Sequence, residues 1–301
     1  MDLSVIIPTR GRPERLQRTL SAIAAQDRSD FSAEVLVVQN ASRDDLSAAM
    51  AVLDGIPASL LFEAAPGTAN ALNTGLASAR GAVVLFLGDD TRPRSKELLG
   101  GHLKLHTASP AETYAVVGGI EWDPEEEVTE FMRWLVRAGF QFAVDTEAPG
   151  PVSPSRFFHT AHASAKRSVI ESSGGFDPAF PFMFEHVDLG IRLEQAGVTL
   201  DYRPELLVLH AHPLTPPDYA RRMAAVGRAA RSLRARWEGR APAEVLGPGA
   251  KWPLYLAAEL PARVALGAGA RGRLRERCWS TRMMSAYVRG YIRGGVPTAS
   301  S

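Results

Sequence analysis

The sequence predicts an α/β fold with a central, mostly parallel sheet flanked by helices and a helical C-terminal extension. Three observations predict it. Apolar runs of strand length alternate with helical stretches over about the first hundred residues, the pattern of a parallel, doubly wound sheet. The run VVLFL at 83–87 leads straight into Gly88, Asp89 and Asp90, which sets two acids at the carboxyl rim of that sheet, where open α/β folds place ligands. Charge is split along the chain: from Tyr219 onward 16 Lys and Arg face 4 Asp and Glu, although the net charge of all 301 residues is only +1.

SVIIP at 4–8 reads as a buried first strand closed by Pro8, and Leu16, Leu20 and Ile23 recur at helical spacing across 14–26. A second strand covers 34–38, a second helix 44–53, a short third strand 59–62, a helix 68–79 and a fourth strand 82–87. Farther on, 116–119 reads as a strand and 125–138 as an amphipathic helix, and the Gly-, Pro- and aromatic-rich 139–158 as a long loop of the kind that covers sites. A helix at 187–196, strands at 200–202 and 206–209, and a basic helix at 218–237 follow. The Gly- and Pro-rich stretch 239–253 is the expected joint to the tail.

Hydrophobic residues make up 46% and charged residues 22% of the chain, ordinary for a globular protein. Cys278, the only cysteine, excludes an internal disulfide and a cysteine-rich zinc site. Met1 to Ser4 resemble no signal peptide, and no stretch offers roughly 18 uninterrupted apolar residues, so a cytoplasmic protein is expected. Rossmann and P-loop glycine fingerprints are absent. So are zinc-finger and RNA-binding signatures, and nucleic acid is not an expected partner. In the tail, Trp252, Leu254, Leu260, Trp279 and Met283 interleave with arginines. This reads either as a helical subdomain with a solvated basic face or as helices on an anionic membrane surface.

Asp89 and Asp90 repel each other unless a cation or a donor-rich ligand lies between them. Mg2+ and Mn2+ take oxygen ligands and are commonly shared with substrate phosphates. The plainer alternative is that both acids cap the next helix.

In order along the chain, SVIIPTRGRPERLQRTLSAIAAQ, EVLVVQNASRD, GTANALNTGLASARGAVVLFLGDDTRP, GGFDPAFPFMFEHVDLGIRLEQAG and LDYRPELLVLHAHP resemble the family 2 glycosyltransferases. The fold this implies is GT-A, the nucleotide-diphospho-sugar transferase fold. The resemblance covers about residues 3–213. It implies a GT-A domain at 1–215, with a nucleotide-binding half at 1–100 and an acceptor half at 101–215, then a basic helical extension at 216–301. It further implies that Pro8, Thr9 and Arg10 contact base and ribose, that Gln39 and Asn40 read the base, and that Gly67 and Asn73 lie on the phosphate side. Gln39 stands where many members carry Asp, and an amide still offers donor and acceptor to a base edge. Leu72 stands where an Arg is common.

Asp90 takes the place of the metal-binding acid of the family's Asp-x-Asp motif, and Gly88 that of its first acid. Asp89 either compensates or, since strand neighbours face opposite ways, points elsewhere. His210 and His212 resemble the extra metal ligands of some members, with a structural role open for each. At Glu185 to Asp188 the family usually reads Glu-Asp, the Asp being the base that deprotonates the acceptor. Here His186 takes that position. Imidazole titrates near about 6.5 in model peptides and is a competent base at neutral pH. The preferred reading makes His186 the base, oriented by Glu185 or Asp188. Asp188 as base, His186 as an acceptor ligand, and an inactive protein stay open. His162 and Ser164 resemble an acceptor-lining pair or cap the helix near residue 167. Trp122 is an acceptor platform or a packing aromatic.

The resemblance thus implies a cytoplasmic glycosyltransferase, or one peripheral on the inner face of the membrane. It would move a sugar from a nucleoside-diphosphate sugar to a saccharide or lipid-linked acceptor, with inversion and with Mg2+ or Mn2+. The alternative is a catalytically inactive nucleotide-sugar-binding protein of the same fold, favoured by the departures at Gly88, His186 and Leu72. Nucleotidyl transfer is disfavoured, because the first βα turn lacks a glycine-rich basic loop.

Overall fold

The computed structural model describes residues 1–143, 147–180, 183–240 and 251–294. Residues 144–146 of the expected loop and 241–250 of the expected joint lie outside them. The chain forms two compact units, one of Met1–Glu127, Phe142–Pro181 and Glu185–His212, the other of Val128–Gln141, Phe182–Phe184 and Pro213–Ser301.

The first unit is built on one nine-stranded sheet. Its strands are β1 (Leu3–Thr9), β2 (Ala33–Asn40), β3 (Ala58–Glu63), β4 (Val83–Leu87), β5 (Thr91–Pro93), β6 (Tyr114–Trp122), β7 (Gly150–Val152), β8 (His162–Lys166) and β9 (Thr199–His210). Their order is β3-β2-β1-β4-β8-β6-β9-β5, with β7 on β9. The four strands from β3 to β4 are parallel, as the alternation predicts. Beyond them the sheet is mixed, because β8 enters antiparallel between β4 and β6. The strands expected at 200–202 and 206–209 are one strand, β9. A bulge between Gly118 and Gly119 of β6, which pair with Arg203 and Leu207, absorbs the intervening residues and keeps the ladder parallel.

Helices cover both faces: α1 (Pro13–Ala24), α2 (Ser47–Ala51) and α4 (Leu98–Ala108) on one, α3 (Thr68–Ser78), α6 (Pro154–Phe157), α7 (Arg167–Ser172) and α8 (Glu185–Gln195) on the other. The alternation of strand side chains feeds both cores. Val83, Leu85 and Leu87 of β4 pack under the first set, Val84 and Phe86 under the second. α4 begins at Leu98, so neither Asp89 nor Asp90 caps it.

In the second unit, α5 (Glu130–Arg137) is shorter than expected, because Thr129 caps it by accepting from the Met132 amide. It joins α9 (Pro216–Trp237), α10 (Trp252–Ala257), α11 (Glu259–Gly267) and α12 (Gly272–Arg293). Trp279 and Met283 of the tail are buried here, with Phe131 and Trp134 packed on the Trp279 ring at 5.2 and 5.4 Å. These two tail residues are core, not surface. α9 and α12 touch backbone to backbone: a Cβ on Gly227 would meet the Tyr287 carbonyl, and one on Gly290 the Ala224 carbonyl. Gly227→Ala is therefore expected to lower the stability of this unit by about 1–3 kcal/mol, although alanine is the better helix former. A urea or thermal midpoint equal to or above that of the parent would contradict this.

Candidate active site

The carboxyl ends of β1 and β4 lie side by side, and the acids after β4 meet the arginine-rich turn after β1. Arg12 is the centre of the cluster. Its Nε donates to Asp89 Oδ2 at 3.2 Å, its Nη2 to Asp89 Oδ1 at 2.5 Å and its Nη1 to Asp90 Oδ2 at 2.7 Å. Thr9 donates to Asp89 Oδ2 at 2.7 Å, and Thr19 to the Asp89 carbonyl. His212 Nδ1 lies 3.0 Å from Asp90 Oδ2 and His210 Nε2 lies 3.6 Å from Asp90 Oδ1. Trp122 and Phe142 pack edgewise on the His210 ring at 5.5 Å. Burial pushes Asp89 up to about 6, against the pull of Arg12 and with that of Asp90. At Asp90 burial is outweighed by His210, His212 and Arg12, which hold it well below the usual carboxylate range.

The second group sits on the first turn of α8. His186 is partly exposed (28%), and its Nδ1 lies 3.2 Å from Glu185 Oε1. A carboxylate there accepts, so Nδ1 carries a proton, and in the neutral ring the lone pair is on Nε2. Glu185 Oε2 is enclosed without a protein partner. Burial first, then His162 and His186, push His159 down to about 3. His162 pairs with Leu87, the last residue of β4. α8 packs on the sheet and runs back to the amino end of β9, which lies parallel to β6 and so to β4, so its first turn stands toward the carboxyl ends of these strands. The imidazole of His186 therefore opens at the same rim as Asp89 and Asp90.

Backbone strain marks the same places. Among the described residues the non-glycine positions with positive φ are Ala41, Phe142, Met183 and Phe184. They follow Asn40, pack on Trp122 and His210, and precede Glu185, and such strain gathers at functional sites. A cleft of about 940 Å³ lined by Asp2, Phe31, Ala82, Lys104 and Lys166 opens instead at the amino ends of β1 and β4, away from these groups.

The model of Glycosyl transferase family 2 matches residues 4–159. The chain belongs to glycosyl transferase family 2. It is 29% identical over 265 residues to the uncharacterized glycosyltransferase YfnE of Bacillus subtilis (strain 168), covering 71% of this chain and 66% of that one. It is 29% identical over 261 residues to the pre-mycofactocin glycosyltransferase of Mycobacterium tuberculosis, covering 83% of this chain and 51% of that one. It thus spans 66% and 51% of the length of these curated relatives. Among solved structures it is similar to the mannosyltransferase PcManGT from Pyrobaculum calidifontis in complex with GDP-Man and Mn2+, with a TM-score of 0.64, 22% identity, and 97% and 86% of the two chains covered. It is also similar to S. aureus TarS 1–349 in complex with UDP, with a TM-score of 0.56, 15% identity, and 97% and 91% covered. These likenesses show the GT-A fold.

Within this family frame several expected roles change. His162 and Ser164 do not line an acceptor surface and cap no helix: both are fully buried on β8. Ser164 Oγ lies 2.8 Å from His102 Nδ1 and 2.9 Å from His106 Nε2, and His102 Nε2 lies 2.9 Å from His162 Nε2. The Gly119 carbonyl accepts from His162 Nδ1, and Gly118 leaves the room this ring needs. Asp188 is no candidate base, being fully buried and held by Arg192 at 2.7 Å. Asn73 spends both amide atoms on the Phe176 backbone, and Asn40 spends both on Ala65 and Gly67, so neither amide is open to a donor in this arrangement. Gln39 donates to the Asp44 carbonyl, while Pro8 is half-buried and Arg10 exposed at the end of β1. Arg12 was missed by the sequence reading. The dense basic run TRGRPER, next to a strand ending in two acids, is the signal that could have found it.

Asp90 lies 3.0 Å from His212 and 3.6 Å from His210, and a carboxylate with two imidazoles is a donor set that a divalent cation can take. The space between them is held by Arg12, whose Nη1 also lies 3.1 Å from His212 Nδ1. Among the described residues no group of three or more His, Cys, Asp or Glu is arranged so that it could hold a metal ion. By chemistry these residues fit a divalent ion; as arranged, they hold a guanidinium.

Proposed function

We propose that this chain moves a sugar from a nucleoside-diphosphate sugar to a hydroxyl of a saccharide or lipid-linked acceptor, inverting the anomeric carbon, with His186 as base. The observation that carries the reading is the partly exposed His186 imidazole, oriented through Nδ1 by Glu185 on the first turn of α8, toward the carboxyl end of the sheet that also bears Asp89 and Asp90. The acceptor proton passes to His186 Nε2, and the oxygen's electron pair forms the new bond at the anomeric carbon. The bond from that carbon to the diphosphate oxygen breaks, and the nucleoside diphosphate leaves with the charge. Glu185 stabilises the imidazolium that forms. Arg10, Arg12 and Arg15 supply positive charge beside the leaving diphosphate. A divalent ion, Mg2+ or Mn2+, held by Asp90, His210 and His212 would neutralise diphosphate oxygens. In this reading the enzyme is cytoplasmic and peripheral on the inner face of the membrane.

The test is thermal stabilisation by a panel of nucleotide sugars, including GDP-Man and UDP-GlcNAc, with and without Mn2+, since a ligand raises the midpoint by mass action. One donor is expected to raise it, and more so with Mn2+. Because Arg12 competes for Asp90, Arg12→Ala is expected to reach half of the Mn2+-dependent shift at a lower Mn2+ concentration than the parent. If no donor moves the midpoint of either protein under any condition, the reading fails.

A further inference from the structure

We infer that α10 and α11 form a docking face for a bilayer surface containing anionic lipid. Both helices pack on α12, and Ala262 is buried on that side. Their other side carries Trp252, Leu254, Leu260 and Val264, which are 41%, 66%, 70% and 64% exposed. Among the described residues nine large hydrophobic side chains are exposed, and these four fall within thirteen positions of one another. Leu260 and Val264 are one helical turn apart and so share a face. A concentrated apolar surface of this kind is uncommon on a protein that meets only water, and it marks a partner.

Charge decides which partner. Between Lys251 and Arg275 the only acid is Glu259, against Lys251, Arg263, Arg271, Arg273 and Arg275. Glu259 turns to α12, where Ser285 donates to it at 2.9 Å and Arg289 pairs with it. Lys251, Arg263, Arg271 and Arg273 are all exposed. The surface is thus apolar with a basic fringe and no exposed acid among the described residues, the composition of short helices that lie in a lipid headgroup layer. No described helix is long and apolar enough to cross a membrane, so the contact is flat on the surface. A protein partner would need an acidic rim around an apolar patch, whereas an anionic bilayer supplies both without further design. The docking stands on α10 and α11 alone. Its use, holding the enzyme at a lipid-linked acceptor, rests on the proposed transfer.

The experiment is co-sedimentation of the full chain with vesicles of phosphatidylcholine alone and of phosphatidylcholine mixed with phosphatidylglycerol, at low and high salt. Binding is expected only to the mixed vesicles and is expected to weaken as salt rises. Leu260→Asp with Val264→Asp should cut vesicle binding at least tenfold. Arg271→Glu with Arg273→Glu should remove the preference for phosphatidylglycerol. Both variants should keep the parent's melting point and its donor-induced shift, which report the fold and the transfer reading separately from docking. Absence of vesicle binding by the parent overturns the inference, as does undiminished binding by the Leu260→Asp, Val264→Asp variant. So does a concentration-dependent dimer that this variant dissolves, since the face would then be covered by a second copy.

Discussion

His186→Ala is expected to slow transfer by roughly 10²- to 10⁴-fold, the usual contribution of a positioned general base, while leaving the donor-induced thermal shift unchanged. The separation follows from where the residue sits. His186 touches Glu185 and none of Thr9, Arg12, Asp89 or Asp90, so removing its ring leaves the donor end of the site intact. Glu185→Gln tests the orientation. The amide can still accept from Nδ1–H, but it carries no charge to stabilise the imidazolium, so its loss should be smaller than that of the alanine variant. His186→Asp restores the residue the family usually carries here, and it should recover part of the lost rate with a pH profile shifted toward acid. Turnover that survives His186→Ala would remove the imidazole from the mechanism. A parent that binds a donor and never transfers would leave the non-catalytic reading standing.

The features that were legible in the sequence are those written in local pattern. β1, β2 and β4 announce themselves as unbroken apolar runs, and their burial on both faces is what such runs mean. The acids at the end of β4 and the His186 departure could be found because each belongs to a contiguous segment. What was not legible depends on partners far along the chain. Arg12 meets Asp89 and Asp90 across 77 and 78 positions, and Asn73 meets Phe176 across 103. α4 carries Gly100, Gly101, His102 and His106, which blur its helical pattern, so the ring that faces His162 was invisible from β8 alone. In the tail, composition does not separate Trp279, which packs in the core, from Trp252 and Leu260, which stay at the surface.

Acid is expected to destabilise the first unit steeply between about pH 6.5 and pH 4, and the buried histidines set the sign. The Gly119 carbonyl can only accept, so His162 is protonated at Nδ1 and accepts at Nε2 from His102 Nε2–H. His102 Nδ1 then accepts from Ser164, whose oxygen accepts from His106 Nε2–H. Each of these bonds forms with all three rings neutral, and His106 Nδ1, buried without a partner, has no acceptor for a further proton. Burial pushes His106 and His162 down to about 4, with nearby Lys166 adding to the shift at His106, and burial with the two neighbouring rings pushes His102 well below its ordinary value. In the unfolded chain the same rings titrate near about 6.5. Below that pH the unfolded state therefore binds protons that the folded state refuses, and stability falls until the folded rings titrate too. Each ring removes about 1.4 kcal/mol per pH unit within the window. Asp89, raised to about 6, works in the opposite direction because the folded state binds its proton first. With His159, which burial also pushes down to about 3, four rings less one carboxyl leave about 4 kcal/mol per pH unit, enough to unfold a domain of ordinary stability within a few units. Urea unfolding at steps from pH 7.5 to 4.5 reads this as a falling midpoint. His106→Gln can still donate toward Ser164 and cannot titrate, so its midpoint should fall less steeply over the same range. A midpoint that stays level in the parent, or falls equally in both proteins, would show that these rings take up protons without unfolding the unit.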